Sequence, residues 1–249
     1  MLEHTFVHIQ GIGPKTERAL WARGIRTWHD YLARPEPLLS VSRDRLVRDE
    51  LERSLENRGD VDFFSRRLQA RDSWRLFEAF RAGTAYLDIE TSGGYEGFDE
   101  ITVIGLYDGA RTQTFVNGVN LEAFEIAVAE YDVVVTFNGA CFDLPCIRHA
   151  FPGITLPPAH IDLRFVLRRL GLSGGLKVIE RRMGLAREEG VDGLNGLDAV
   201  RLWAEYRNGD RSALDRLIRY NTADIVNLEP LMETGYQWLM EGLLQGRTH

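Results

Sequence analysis

The sequence predicts an α/β protein, a mixed β-sheet flanked by helices and preceded by a small all-α domain. Three observations carry that prediction. Residues up to about 82 place apolar side chains at three- and four-residue intervals; from Ala85 short runs rich in β-branched residues take over; after Asp143 helical spacing returns. Three strands in a row, then a helix and a further strand, then helices, is the order of a sheet covered on both faces.

In the first part, Thr16 to Arg23, Arg43 to Asn57 and Phe63 to Arg81 read as helices, with Pro35 and Pro37 breaking one from the next. Thr27, three residues before Asp30, reads as a helix N-cap after Gly24. The strands follow as AYLDIE (85–90), ITVIGLY (101–107), RTQTFV (111–116) and DVVVTF (132–137), with a helical segment from Leu121 to Tyr131 between the last two. Further helices are expected over Leu144 to Ala150, Leu163 to Leu170, Leu176 to Met183, Leu197 to Tyr206 and Ala213 to Leu243, the last broken near Pro230. Gly-rich links at 171–175 and 184–196 separate them. The expected division is a helical module over 1–82 and a second domain over 83–249, without internal repeats or low-complexity segments.

The 249 residues are 44% hydrophobic and 27% charged, a globular rather than a disordered composition. No run approaches the roughly 18 apolar residues of a membrane span. The start MLEHTFVHIQ lacks the basic opening and apolar stretch of a signal peptide, so a cytoplasmic location without membrane partners is expected. The two cysteines, Cys141 and Cys146, support neither a disulfide framework nor a zinc site and read as reduced thiols. The net charge of −7 is unevenly divided: residues 1–82 hold 15 basic against 13 acidic residues, residues 83–249 hold 15 against 24. An acidic second part disfavours bulk attraction of phosphate but suits a site that collects carboxylates for metal ions. Of the 30 basic residues only Lys15 and Lys177 are lysine.

The acids then separate from the background. Asp88-Ile89-Glu90 ends the first strand, and residues i and i+2 of a strand point to one side, so two carboxylates share a face. So close together they repel, and a bound divalent cation resolves the repulsion; two solvated acids at an exposed strand end are the alternative. A third acid, Asp143, follows the strand DVVVTF through Asn138-Gly-Ala-Cys-Phe-Asp143, where a chain leaving a core strand puts polar residues on the rim of the sheet. Read alone, Asn138-Gly139 is a turn and Asp143 a helix cap. In Tyr220-Asn-Thr-Ala-Asp224, a spacing of four sets Tyr220 and Asp224 on one helical face.

Asp-x-Glu on a first strand, Asn-x-x-x-Phe-Asp after a later one and Tyr-x-x-x-Asp on a late helix resemble, in that order, the three motifs of the DEDD-superfamily (DEDDy-type) 3′ to 5′ exonucleases. The stretch from Ala85 to about Met232 is similar to a bacterial group of stand-alone ribonuclease H-like exonuclease domains. The resemblance implies a ribonuclease H-like fold and two Mg²⁺ or Mn²⁺ ions held by Asp88, Glu90, Asp143 and Asp224. It implies that Asp88 bridges both ions, that Glu90 and Asp224 complete the nucleophile-side ion and that Asp143 holds the leaving-group ion. The resemblance also implies that Tyr220 orients the attacking water; a phenol of ordinary pKa near 10 suits alignment better than general-base work. Thr91 and Asn138 are positioned to contact the terminal nucleotide. Phe142 packs against a base or against the core, with core packing the preferred reading. Asp162 is a rival fourth carboxylate that reads first as an N-cap. An ordinary ribonuclease H endonuclease fits less well, because that family takes its glutamate from a helix.

Nucleic acid has two candidate contact regions. Between Arg164 and Arg187 lie seven basic residues, Arg164, Arg168, Arg169, Lys177, Arg181, Arg182 and Arg187, against Glu180 alone. They track phosphate or form a solvated face. Near the N-terminus, Ile9-Gln-Gly11-Ile-Gly13-Pro14-Lys15-Thr16 resembles the hairpin of helix-hairpin-helix proteins, where Gly11 and Gly13 let backbone N–H groups approach a phosphate and Lys15 adds charge. The segment before it, Thr5 to Gln10, is short and partly β-branched for a first helix, and packing or a protein contact is the alternative use. The expected function is a metal-dependent 3′ to 5′ exonuclease acting on the end of a single strand of DNA or RNA. A non-catalytic nucleic-acid-binding protein of the same fold and a protein-interaction scaffold are the alternatives; the presence of all four acids and Tyr220 speaks against the first.

Overall fold

Helical spacing in the first eighty residues resolves into short helices. A computed structural model describes residues 1–94 and 100–245, and its contacts form two units: Met1–Arg81 with the chain end from Tyr236, and Ala82–Gly235. The first unit contains α1 (Pro14–Ala22), α2 (Trp28–Leu32), α3 (Val41–Glu56) and α4 (Val61–Ser65), followed by a 3-10 segment over Ala70–Leu76. The single helix expected over 63–81 is therefore absent. Asp60 starts α4 early by accepting from the N–H groups of Asp62 and Phe63. The Ser65 hydroxyl and Arg67 guanidinium donate to the carbonyls of Asp62 and Phe63, and such local side-chain bonds compete with helix continuation. Thr27 and Asp30 do form the capping box that starts α2.

The core of this unit is aromatic: Trp28, Tyr31, Phe6 and Phe64 are fully buried, and Trp28 stacks on Phe64 with ring centroids 5.8 Å apart. Glu17 on α1, 1% exposed, accepts from the N–H groups of Phe6 and Val7 at 2.7 and 3.3 Å and pairs with both amino groups of Arg75 at 2.8 and 3.0 Å. Those backbone donors are thereby spent on a carboxylate, and residues 7–11 form turns. Among the described residues no α-helix precedes the hairpin, only a 3-10 turn over Leu2–His4, so the first helix expected of a helix-hairpin-helix does not form there.

In the second unit, β1 (Thr84–Thr91), β2 (Ile101–Tyr107), β3 (Thr112–Val116), β4 (Val133–Thr136) and β5 (Ala159–Asp162) stand in the order β3-β2-β1-β4-β5. β1 runs antiparallel to β2 and parallel to β4, so the strand with the acid pair is the centre of a mixed sheet. The four expected strands are present; β5 was not anticipated, because four residues give too short an alternation to read. The helices are α5 (Phe124–Val128), α6 (Asp143–Ala150), α7 (Leu163–Arg169), α8 (Leu176–Met183), α9 (Gly196–Arg207) and α10 (Arg211–Leu244), the last belonging to this unit as far as Gly235. α10 passes through Pro230 without the expected break. Proline there removes one N–H from the ladder, and the buried Leu228, Leu231 and Met232 hold the helix on either side. No helix among the described residues is long and apolar enough to cross a membrane.

Alternation along β1 sorts the two faces. Leu87 and Ile89 join Ile104, Leu106, Phe115, Phe124 and Phe151 on one side, each such burial contributing roughly 1.5–3 kcal/mol. Asp88 and Glu90 point to the other, where Val103 and Val116 of the sheet pack with Trp203 of α9 and Leu217 and Tyr220 of α10.

Candidate active site

Each acid reaches the site from a different element. Asp88 and Glu90 come from the face of β1 that α10 covers, and Tyr220 and Asp224 lie one turn apart on α10. Carboxylate oxygens of Asp88, Glu90 and Asp224 all fall within 4.8 Å of one another. Asp143 is the first residue of α6, and Phe142, not Asp143, holds the cap position. Its Oδ1 instead accepts from the N–H of Ile89 at 3.2 Å, which ties α6 to β1 between the two strand acids. All four acids line one cavity of about 360 Å³ together with Tyr220, Lys177, Asn138 and Phe142.

The loop that delivers Asp143 depends on small residues. A Cβ on Gly139 would sit 2.2 Å from Thr136 Oγ1, so only glycine lets the chain fold back over β4, and the Gly139 N–H donates to that hydroxyl at 3.1 Å. Asn138 takes a left-handed φ of 71°, a conformation asparagine tolerates better than most residues. Asp162 caps α7 through the N–H of Arg164, as expected, and also accepts from the N–H groups of Asn138 and Ala140 at 2.8 and 3.1 Å. It is a staple for the loop and does not line the cavity.

Burial and mutual repulsion make these acids reluctant to ionise. Burial lifts Asp143 to about 7 and Glu90 to about 8. Asp88 is raised well above the carboxylate range by burial and then by Asp224, Asp143 and Glu90. Asp224 is raised by burial although Arg187 pulls it back. Tyr220 is pushed up by burial and then by Asp224, Glu90 and Asp88, so its phenol keeps its proton at neutral pH. A largely buried set of hard carboxylate oxygens, only partly offset by the basic side chains beside it, fits divalent cations such as Mg²⁺ or Mn²⁺, for which Asp88, Glu90 and Asp224 are the convergent donors and Asp143 the neighbouring one.

Five residues support the acids in roles the sequence reading does not assign to them. Lys177 on α8 donates from Nζ to the Tyr220 hydroxyl and lies 4.2 Å from the ring centroid. Arg187, 3% exposed, pairs with Asp224 and forks onto Glu180 at 2.8 and 2.7 Å, and Asn227 donates to Glu180 at 3.0 Å. The Asn221 side chain donates to the Asp88 carbonyl at 3.3 Å and to its carboxylate at 3.1 Å. Lysine in a chain with two lysines, and Asn221 beside Tyr220, were the available signals.

The basic stretch from Arg164 to Arg187 consequently divides. Arg187 and Lys177 turn to the acids, Arg181 and Arg182 are exposed, and Arg169 is half-buried. Only Arg164 and Arg168 line a second cavity beside the first. Thr91 lies past a register shift in β1 and is outside the cavity wall. Phe142 is 40% exposed and lines the cavity, which overturns core packing: the turn into α6 holds it on the rim. Gly11, Gly13 and Lys15 are in the other unit. Gly11 takes a φ of 82° and its carbonyl accepts from Arg43, Gly13 precedes Pro14 at the start of α1, and Lys15 is exposed.

A family model described as the RNase_H superfamily matches residues 85–236. No curated protein matches the chain in sequence. Among solved structures, the family B DNA polymerase of the hyperthermophilic archaeon Pyrobaculum calidifontis is similar at a TM-score of 0.50 and 17% identity, over 61% of this chain and 24% of the polymerase. Escherichia coli RNase D, an exoribonuclease involved in structured RNA processing, gives 0.47 and 19% over 69% of this chain and 45% of its own. Brucella melitensis NrnC gives 0.47 and 19% over 69% and 79%. The chain thus spans about a quarter of the polymerase and under half of RNase D. At 17% identity the likeness to the polymerase is one of fold.

Proposed function

The chain belongs to the RNase H superfamily, and from that premise we propose that it is a metal-dependent 3′ to 5′ exonuclease that removes nucleotides from the end of a single strand of DNA or RNA. The observation that carries the proposal is the convergence of Asp88, Glu90, Asp143, Asp224 and Tyr220 from three separated segments on one open cavity. An acid cluster of this density, offset only in part by Arg187 and Lys177, costs stability, which a structural role does not explain.

Divalent cations bound by the four acids supply charge neutralisation at the transferring phosphoryl group and make a water nucleophilic near neutral pH. In the reaction a water oxygen bonds to phosphorus and the bond from phosphorus to the 3′ oxygen of the preceding nucleotide breaks, releasing a nucleoside 5′-monophosphate. Tyr220 keeps its proton, and the ammonium of Lys177 only donates, so the phenol oxygen accepts from Lys177 and its own O–H is left to align the water. Asn221 holds Asp88 and Arg187 holds Asp224, which limits the reorganisation left to substrate binding. Asn138 and Phe142, on the rim, are the groups offered to the terminal nucleotide.

The test is direct. A 5′-labelled single strand incubated with Mg²⁺ or Mn²⁺ is expected to shorten stepwise from its 3′ end, and chelator or Asp88→Ala is expected to stop it. Equal inactivity of wild type and Asp88→Ala on DNA and RNA with both metals refutes the proposal.

A further inference from the structure

We infer that the second cavity, walled by Arg164, Arg168 and the glycine link before α8, binds the phosphodiester one linkage upstream of the bond being cleaved. The inference rests on the exonuclease reading and adds a subsite to it. The two cavities share Phe137, Asn138, Gly175 and Gly196, so a strand leaving one enters the other. Their chemistry is opposite. Four carboxylates line the first, none lines the second, and the second is the larger at about 610 Å³.

Arg164 and Arg168 are four residues apart on the exposed face of α7 and therefore present their side chains together. Arg164 is already fixed: its guanidinium donates to the Asn138 side-chain oxygen, while Asp162 holds the Asn138 N–H. One bond leaves the remaining donors of the fork available, and a planar fork matches phosphate oxygens in pairs. Arg168 lies over the Phe165 ring at 5.1 Å, which restrains it without using its donors. Gly174 and Gly175 present no side chain, so a backbone can approach the opposite wall.

The charge decides which part of the substrate belongs there. A terminal nucleotide ending in a 3′ hydroxyl brings one phosphate, and that is the group under attack at the acids. Two arginines in a cavity wall that holds no carboxylate call for another phosphate, and only the nucleotide upstream supplies it.

The experiment uses nine-nucleotide strands whose last linkage carries CH₂ in place of the 3′ oxygen, so that with Mg²⁺ they bind without being cut. Their dissociation constants are read by fluorescence anisotropy for wild type, Arg168→Ala and Arg164→Lys, with thermal melts confirming the fold. Each substitution is expected to weaken binding about tenfold; Arg168→Ala, which removes a charge, is expected to reduce the salt slope by about 0.7, and Arg164→Lys, which keeps the charge but loses the planar fork, to leave the slope unchanged. A neutral methylphosphonate at the second linkage from the 3′ end is expected to weaken wild type similarly and to erase the effect of Arg168→Ala. In parallel, the p-nitrophenyl ester of thymidine 5′-monophosphate, which has a single phosphate, is expected to be hydrolysed equally by wild type and Arg168→Ala. Binding that ignores the methylphosphonate, an arginine effect that persists with it, or Arg168-dependent tightening by a 3′-phosphate overturns the inference. Arginine-dependent, charge-selective binding with no hydrolysis of the p-nitrophenyl ester or of an unmodified nine-nucleotide strand overturns the exonuclease reading instead.

Discussion

Gly105 tests whether Asp88 is held or merely present. It pairs with Asp88 across β2 and β1, and a Cβ built on it falls 2.0 Å from Asn221 Oδ1 and 3.1 Å from Ile225 Cδ1. Asn221 is 0% exposed, and its amide nitrogen is spent on Asp88. In Gly105→Ala the amide therefore has to move. Overpacking costs about 1–3 kcal/mol, and losing the hydrogen bond to the Asp88 carboxyl adds roughly 0.5–1.5 kcal/mol. Taking about 3 kcal/mol, the melting temperature is expected to fall by about 6–12 °C. A ligand that loses its supporting hydrogen bond binds metal roughly 10- to 100-fold more weakly, and calorimetric titration with Mn²⁺ reads that loss. The double variant Gly105→Ala/Asn221→Ala separates the two effects. The methyl then occupies space the amide has left, so stability is expected to return to within about 1 kcal/mol of Asn221→Ala alone, while Mn²⁺ affinity stays low. Wild-type Mn²⁺ affinity in Gly105→Ala, alongside a lowered melting temperature, refutes the positioning role; an unchanged melting temperature refutes the packing argument itself.

Other outcomes follow from other parts of the chain. Burial, with Arg67 adding, pushes His8 down to about 3, so the folded state refuses a proton that the unfolded chain accepts below about 6.5. Stability from this group is full above pH 6.5 and is lost at about 1.4 kcal/mol per pH unit as pH falls toward 3; urea melts from pH 7 to 4.5 are expected to show that slope, flattened in His8→Phe. Arg187→Met leaves Glu180 buried without its partner and is expected to cost about 3–5 kcal/mol by urea denaturation, most of it recovered in Glu180→Gln/Arg187→Met; equal costs in the single and double variants go against a paired role. Tyr220→Phe removes only the hydroxyl and is expected to lower kcat roughly 10- to 100-fold with KM and Mn²⁺ affinity unchanged, whereas a rise in KM alone assigns Tyr220 to binding.

What the sequence disclosed depends on how local the cause is. β1, β2 and α8 were legible because alternation or helical spacing runs their whole length. Residues 63–81 were misread because apolar spacing there persists through a 3-10 segment, and the bonds that end α4 are made by Ser65 and Arg67, whose side chains have many uses. The acids of the site were legible since strand and helix periodicity fixes which residues share a face. Their supports were not. That Arg187 turns inward to Glu180 and Asp224, rather than outward with Arg181 and Arg182, depends on the path of the chain after α8, which no spacing encodes. Gly105 carried no signal at all, for its reason lies on a helix 116 residues later.

The scarcity of lysine has a practical side. With only Lys15 and Lys177 in the chain, side-chain amines occur at one exposed position in the helical unit and one inside the acid cavity. Burial lowers the Lys177 pKa and so increases its share of free amine at a given pH. An acylating reagent followed by peptide mass analysis thus has a built-in control: modification of Lys15 measures the reagent, and modification of Lys177 measures whether the cavity is open or filled. The protein carries its own occupancy gauge, one that needs no label, no turnover and no knowledge of the substrate.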